Sequence, residues 1–243
     1  AYDFENSKKS KVQFGFEISK EEYNYDLYRT EDGIQGEQFQ QNEELRSSTQ
    51  FFAQYNMNFL DDLELEVGLN ANLTSYTLDD QFASDMTDIS GEYNYSWIYS
   101  PRLNLKYTLN ESDHLYGLIS HGYSIPTLEE TLTPDGLINN DIKPEIGLNT
   151  EIGFRGMTNN EKWSYGLTAY QMLVKNLLVA RRTAADQFIG VNAGGSRHIG
   201  AELDLAYKMF NSGDWRSDFN LAYTYKKFTF TDFVDGEEDY SSN

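Results

Sequence analysis

The sequence predicts an all-β fold: an antiparallel meander that forms part of a transmembrane β-barrel. Three observations predict it. Apolar residues recur at every second position along most of the chain. Tight polar turns alternate with long connections. The apolar face is aromatic near the strand ends and aliphatic between them, which is the order a lipid bilayer imposes on a wall that spans it.

The elements follow in order. Val12, Phe14, Phe16 and Ile18 alternate with Lys11, Gln13, Gly15 and Glu17. Phe51, Ala53, Tyr55, Met57 and Phe59 form a second apolar row, and after "LDD" Leu63, Leu65, Val67, Leu69 and Ala71 form a third. Further strands are expected at Trp97–Leu109, in "HLYGLISHGYS", from Leu148 to Met157, from Trp163 to about Ala180, from Ile199 to Tyr207 and from Phe219 to Tyr225. A side-chain period of two over such lengths favours strand over helix. The count is about nine strands with no helix. Short turns sit at "LDD", "NESD", "TNNEK" and "NSGD", while long connections are expected at 30–44, 78–95, 124–147, 181–188 and after 231. One end of the meander thus carries tight turns and the other carries long loops, as outer-membrane barrels do. A water-soluble sandwich shares the alternation but does not account for the loop asymmetry.

Composition narrows the function. The chain has 19 Lys+Arg against 39 Asp+Glu, a net charge of −20, which repels nucleic-acid phosphates. Its 18 Tyr and 15 Phe are too many for an unfolded acidic chain. Having no cysteine, it has no disulfide and no thiolate metal site. No apolar run is long enough for a membrane-spanning helix.

The segment "LYGLISHGYSIPTLEETLTPDGLINNDIKPEIGLNTEIGFRG" resembles the C-terminal barrel of TonB-dependent outer-membrane receptors, the ferric-siderophore type. The resemblance rests on Ser120, Gly122, Tyr123 and Pro126, then on Lys143, Pro144 and Glu145, then on Asn149, Glu151, Gly153, Arg155 and Gly156. "LTAYQMLVKNLLV" and "VNAGGSRHIGAELDLAY", with Gly200, extend it in the family's order over about 115–207. It implies a barrel of about 22 strands with a plugged lumen. The nine strands are then a fragment, residues 1–243, and the plug domain is not expected in this chain. It also implies import of a scarce nutrient across the bacterial outer membrane, with a ferric siderophore or similar chelate as cargo. The partners implied are the receptor's own plug, a TonB-type energy-coupling protein, and lipid with lipopolysaccharide. A passive porin-like barrel, a soluble sandwich adhesin and, last, a secreted enzyme are the alternatives.

Candidate residues follow. Tyr28, Arg29, Tyr93, Tyr95, His121, Tyr123, Arg181 and Arg182 are the candidates for holding an anionic chelate at the outer mouth. Arg102, Glu151, Arg155 and Glu202 fall in wet-face positions and are expected to meet plug or lumen water, since a mid-bilayer charge costs roughly 2–4 kcal/mol. The acidic runs Asp79, Asp80, Asp85, Asp88, Glu92 and Asp232, Asp235, Glu237, Glu238, Asp239 read as solvated loops, with calcium binding as the functional alternative at the first. His114, His121 and His198 lack metal-ligand spacing. The resemblance implies that a haem-uptake member would carry a histidine between the Pro126 and Lys143 motifs, and residues 127–142 hold none, which disfavours haem. "GGSRHIG" lacks a following helix, so Gly194, Gly195 and Gly200 are read as relieving crowding in a curved sheet rather than cradling phosphate. Glu129 and Glu130 are expected on opposite faces of a strand. No catalytic constellation is present.

Overall fold

The computed structural model describes residues 2–6, 10–82, 88–133, 136–184, 187–212, 215–235 and 238–241. Its strands are β1 Tyr2–Asn6, β2 Ser10–Glu31, β3 Ile34–Leu60, β4 Leu63–Asp80, β5 Gly91–Asn94, β6 Ile98–Thr108, β7 His114–Ser124, β8 Glu145–Met157, β9 Trp163–Lys175, β10 Leu178–Ala184, β11 Gln187–Asn192, β12 Gly195–Ser212, β13 Trp215–Asp232, β14 Val234–Asp235 and β15 Glu238–Asp239. One short helix, α1, spans Leu128–Thr131. The main sheet runs β1-β2-β3-β4-β6-β7-β8-β9-β12-β13, with β5 added to β4. Among the described residues, neighbouring strands pair antiparallel. β10 with β11, and β14 with β15, form separate two-stranded sheets. The nine expected strands are β2, β3, β4, β6, β7, β8, β9, β12 and β13.

The structure corrects several boundaries. Residues 30–44 are not a loop. β2, 22 residues long, and β3, 27 residues long, make one hairpin that reverses at Asp32 and Gly33. Both turn residues have positive φ, 49° and 80°, the backbone that Asp-Gly supplies to a two-residue hairpin turn. The strand begun at Trp163 stops at Lys175 rather than Ala180, because Asn176 turns the chain with φ 56°. Glu129 and Glu130 lie in α1, not in a strand. There Thr127 accepts from the Glu130 amide while the Glu130 carboxylate accepts from the Thr127 amide, a capping box that ends the preceding extended run.

Across the membrane band the pairing register assigns side chains to alternate faces. One row reads Met57, Leu65, Leu105, Gly117, Ile152, Ala169, Ala201, Tyr225; the next reads Leu63, Tyr107, Leu115, Phe154, Leu167, Leu203, Tyr223. This face is uncovered: Phe16 is 69% exposed, Ile18 70% and Ile152 63%. Among the described residues no second sheet packs on it, so it is not half of a sandwich. Apolar surface on this scale needs hydrocarbon against it. Aromatic rings bound it. Phe16, Phe51, Trp97 and Tyr99 form a chain with centroids 6.0–6.4 Å apart near the long-loop end. Near the tight-turn end Phe154 stacks on Tyr165 and Trp163 on Tyr207.

Along β4 the outward positions are apolar from Leu63 to Leu73, the about 9–11 residues that a tilted strand uses to cross. Above Leu73 they become Ser75, Thr77 and Asp79, in register with Ser47, Leu45 and Glu43 of β3 and with Lys20, Glu22 and Asn24 of β2. At that level the inward face turns apolar instead. Tyr76, Leu78, Tyr95 and Leu128 are buried there, with Ile89, Tyr93, Ile125, Leu132 and Ile138 packed around them. The strand keeps its pleat and exchanges its oily side where the surroundings change from lipid to water. The small core therefore sits on the concave side, above the membrane.

Candidate functional site

The inward face opposite the lipid face is polar and knitted by its own charges. Arg102 pairs with Glu66 at 3.3 Å, and Lys106 pairs with Glu64 at 3.1 Å. Tyr116 donates to Glu151 at 2.6 Å and lies 3.0 Å from the Thr168 hydroxyl, while the Arg155 guanidinium stands 5.4 Å above its ring. Glu202 pairs in register with Thr168 and Thr224. The structure thus puts Arg102, Glu151, Arg155 and Glu202 on one face, in neighbouring rows, each away from the Leu/Val side.

Two tyrosines lie flat along this wall. A Cβ on Gly153 would fall 2.3 Å from the Tyr116 ring, and one on Gly200 would fall 2.4 Å from the Tyr170 ring. Glycine leaves the space those rings occupy. Gly194, with φ +78°, lies with its Cα against the Asp232 carbonyl. These glycines serve packing, as expected of "GGSRHIG".

Higher on the same face is a hollow of about 580 Å³, lined by Gln50, Gln54, Asn70, Ser100, Arg102 and His121 among others. Ser120, Gly122 and Tyr123 also border it. By register His121 and Tyr123 have the parity of Leu148 and Ile146, but β6–β7 pairing ends at Arg102–Ser120, and above that point His121 lies 3.2 Å from the Ser100 hydroxyl. The Asn70 side-chain oxygen is buried, with no hydrogen-bond partner among the described residues. The hollow thus gathers hydroxyl, amide, imidazole and guanidinium groups, which suits an oxygen-rich or anionic surface.

Tyr93 and Tyr95 sit above it, but they are structural. The Tyr93 hydroxyl donates to the Ile142 carbonyl and its ring meets that of Tyr95 edge-on at 4.4 Å. Tyr76 donates to the Pro126 carbonyl at 3.0 Å. Burial raises the phenol pKa of Tyr93, Tyr95 and Tyr76 above the ordinary value. These bonds fasten the segment between β7 and β8 to the inside of the wall.

The Lys143-Pro144-Glu145 motif is held by its backbone. Asn192 accepts from the Lys143 amide at 2.7 Å and donates to the carbonyls of Lys143 and Asn176, both at 2.8 Å. Asn176 donates to the Pro144 carbonyl at 3.2 Å, and Glu145 accepts from the Leu178 amide at 2.7 Å. Sequence reading missed Asn176, Asn192, Tyr76 and Tyr116. The "VN" opening the last motif was the available signal for Asn192.

The remaining candidates are not brought to the hollow. Tyr28 and Arg29 lie on an irregular stretch near the tip of the β2–β3 hairpin, with Arg29 over the Phe39 ring at 5.9 Å. Arg181 and Arg182 are exposed on β10, where Arg181 reaches the Val234 carbonyl at 3.5 Å. Of the calcium candidates, Asp80 accepts from the amides of Phe82 and Ile89, and Asp88 accepts from Ser90. Asp85 lies outside the described residues. Among those described, no three His, Cys, Asp or Glu side chains converge as a metal site would require.

Solved structures share this architecture. The copper transporter OprC superposes with a TM-score of 0.71 at 19% identity, over 92% of this chain and 36% of its own. The ferric citrate transporter FecA gives 0.71 at 14% identity, over 95% and 34%. The siderophore receptor PiuA from Acinetobacter baumannii gives 0.70 at 15% identity, over 99% and 38%. The chain therefore spans about a third of each. The comparison with curated protein sequences found no match. The family model "TonB dependent receptor-like, beta-barrel" matches residues 2–243. With its lipid-facing band, its polar concave wall and that match, the chain belongs to the TonB-dependent receptors, barrels of the Gram-negative outer membrane, and supplies part of the barrel wall.

Proposed function

We propose that this wall serves active import of a scarce metal chelate, most simply a ferric siderophore, through a receptor energised by a TonB-type motor. The observation that carries the reading is the polar hollow on the concave face. It lies between a wall carrying the Arg102–Glu66 and Lys106–Glu64 pairs and an anchored outer segment. Chelates of iron present carboxylate, hydroxamate or catecholate oxygens, and Arg102, Ser100, His121 and Tyr123 are donors suited to them. Below the hollow, Glu64–Lys106 and Glu66–Arg102 present exchangeable polar contacts to a plug, so a plug can shift without breaking a dry core. The similar structures include both siderophore and copper receptors, so metal identity is the point to test.

The test is uptake by a deletion strain complemented with the intact receptor. Radioactive iron is offered as a panel of ferric siderophores, with copper offered in parallel. Import of one iron chelate, reduced by Arg102→Ala with His121→Ala, supports the reading. Import of copper alone, or passage of small solutes independent of the motor, refutes it.

A further inference from the structure

The wall has a seam. β6 and β7 are laddered from Thr108–His114 up to Arg102–Ser120, and there their pairing ends. Both strands continue. β6 runs on to Ile98 against β4, and β7 runs on to Ser124 against β8. Residues 98–101 and 121–124 therefore keep one strand neighbour and lack the other. Pro101, the first unpaired position of β6, has no amide hydrogen to offer a partner. At the usual rise of a strand the unzipped stretch is roughly 13 Å long.

Depth decides what lies on either side. Pro101 is in register with Leu69 and Tyr99 with Ala71, both outward positions of the apolar band. Ile119, the last outward residue of β7 below the seam, is opposite Leu103. The outer mouth thus opens at the upper part of the hydrocarbon layer, beside the stacked rings of Trp97 and Tyr99. The inner mouth opens on the polar hollow, which Ser100, Arg102, His121 and Gly122 border. Backbone groups left unpaired at lipid depth are expensive unless something polar reaches them. His121 does so. It starts with the outward parity of Leu148, yet it lies 3.2 Å from Ser100, which shares the inward row of Asn70. Imidazole and hydroxyl bridge the seam where the ladder is missing.

Gly122 stands at the inner mouth. A Cβ there would meet the Gly147 carbonyl at an ordinary 4.0 Å, whereas at Gly153 and Gly200 a tyrosine ring fills the place. Its φ is not positive either, so neither packing nor backbone conformation calls for glycine at 122. Gly147, opposite it on β8, is equally bare. What the missing side chains leave is a passage from the hollow to the seam. We propose that the seam is a lateral port for the apolar tail of an amphiphilic chelate. The oxygen-bearing head rests in the hollow by Arg102, and an acyl chain passes between β6 and β7 into the outer leaflet. This port rests on the chelate reading above and narrows its cargo class. A head drawn into the hollow need not pull its tail from hydrocarbon into water, which would weaken binding about fourfold per methylene.

The test uses the intact receptor in phosphatidylcholine vesicles. Radioactive iron is offered on trihydroxamate, tricatecholate and citrate-type heads, each with and without a dodecanoyl tail, and bound iron is counted above receptor-free vesicles. For a head that binds, the readout is the ratio of tailed to tailless affinity, so an effect on the head alone cancels. Gly122→Phe fills the inner mouth and should lower that ratio more than about a hundredfold, the effect of withdrawing roughly four methylenes. Gly122→Ala is too small to fill it and should keep the wild-type ratio. A second measurement needs no variant to fold: a diazirine placed early in the tail should link to Tyr99, Pro101 or Ile119 of the wild-type receptor. An unchanged ratio in Gly122→Phe, or links confined to inward residues such as Val174 and Phe228, would overturn the port while the chelate reading stands. Failure of every head to bind, tailed or not, would overturn both.

Discussion

Asn192→Ala is the most discriminating substitution for the outer part of the wall. Asn192 makes three bonds at once, to the amide and carbonyl of Lys143 and to the carbonyl of Asn176. Each leaves a backbone group without its partner when the side chain is truncated, at about 1–3 kcal/mol for a group that stays dry. Much of this site is half-buried, so water can relieve part of the loss, and the lower end of that range applies to each bond. The amide of Lys143 reports directly, because its acceptor is the Asn192 oxygen. Hydrogen exchange by mass spectrometry on the intact receptor, over peptides spanning Ile142 to Pro144, should show protection falling roughly tenfold for about 1.4 kcal/mol. Asn192→Asp separates the two halves of the interaction. It keeps an acceptor for the Lys143 amide but loses both donated bonds and sets a carboxylate against two carbonyl oxygens. Protection at Lys143 should therefore survive better in the Asp variant than in the Ala variant, while peptides around Asn176 loosen in both. Lys143→Ala should do little, since the wall holds that residue by its backbone and its side chain is exposed. Unchanged protection in Asn192→Ala, or a larger effect from Lys143→Ala, would refute the claim that the motif acts as a backbone knot.

Three other outcomes can be measured. Gly200→Val should destabilise the barrel by about 1–3 kcal/mol in urea unfolding from micelles, and Tyr170→Ala should rescue much of that, because the new side chain and the ring occupy one space. Val67→Arg, at the middle of the apolar band, should cost roughly 2–4 kcal/mol and Glu64→Gln close to nothing, since the first faces hydrocarbon and the second the concave side; similar values would mean the strand register is shifted by one residue. Glu44, on the inward face of the hairpin, has its carboxyl pKa raised, first by burial and then by the nearby Glu129, against a lowering bond from Tyr25. A raised folded-state pKa means the contact with the α1 segment is fully supported below the unfolded carboxylate range and weakens as pH rises through the folded value. Hydrogen exchange of residues 127–133 should increase over that window in wild type and stay flat in Glu44→Gln, and a flat wild-type profile would rule the linkage out.

The transmembrane part of the fold was legible because lipid imposes a pattern with one sign. Leu63 to Ala71, Leu103 to Tyr107 and Leu203 to Tyr207 alternate cleanly, since each outward position meets hydrocarbon and each inward one meets water or protein. Above the membrane that contrast vanishes. In "KEEYNYDLYRTEDGIQGEQFQQNEEL" both faces meet water along much of the hairpin, so residues 30–44 read as a long connection and only Asp32-Gly33 marked the turn. The same loss of contrast hid the end of β9. Leu173, Leu177 and Leu178 continue an apolar run across Asn176, and only its positive φ reveals the break.

The candidate site divides along the same physical line. Arg102, Glu151, Arg155 and Glu202 could be assigned to a face because parity alone decides which way a strand residue points. Tyr28, Arg29, Tyr93, Tyr95, Arg181 and Arg182 could not be assembled, because they lie on strand ends, short strands and a connection outside the regular membrane band, whose course depends on bonds between segments distant in sequence. Tyr76 meeting Pro126, and Asn192 meeting Lys143, are such bonds. The motif residues that stood out in the sequence are accordingly those with backbone duties: Lys143 and Pro144 are pinned through their amide and carbonyls, Glu145 caps the Leu178 amide, and Gly200 makes room for Tyr170. Groups bordering the hollow, such as His121 and Arg102, lie on strand positions whose spacing alone does not bring them together. On the function proposed above, this wall keeps its geometry in the Lys143-Pro144-Glu145 segment and leaves selectivity to the side chains around the hollow. Cargo specificity should therefore transfer with the residues around the hollow and not with the Lys143-Pro144-Glu145 segment.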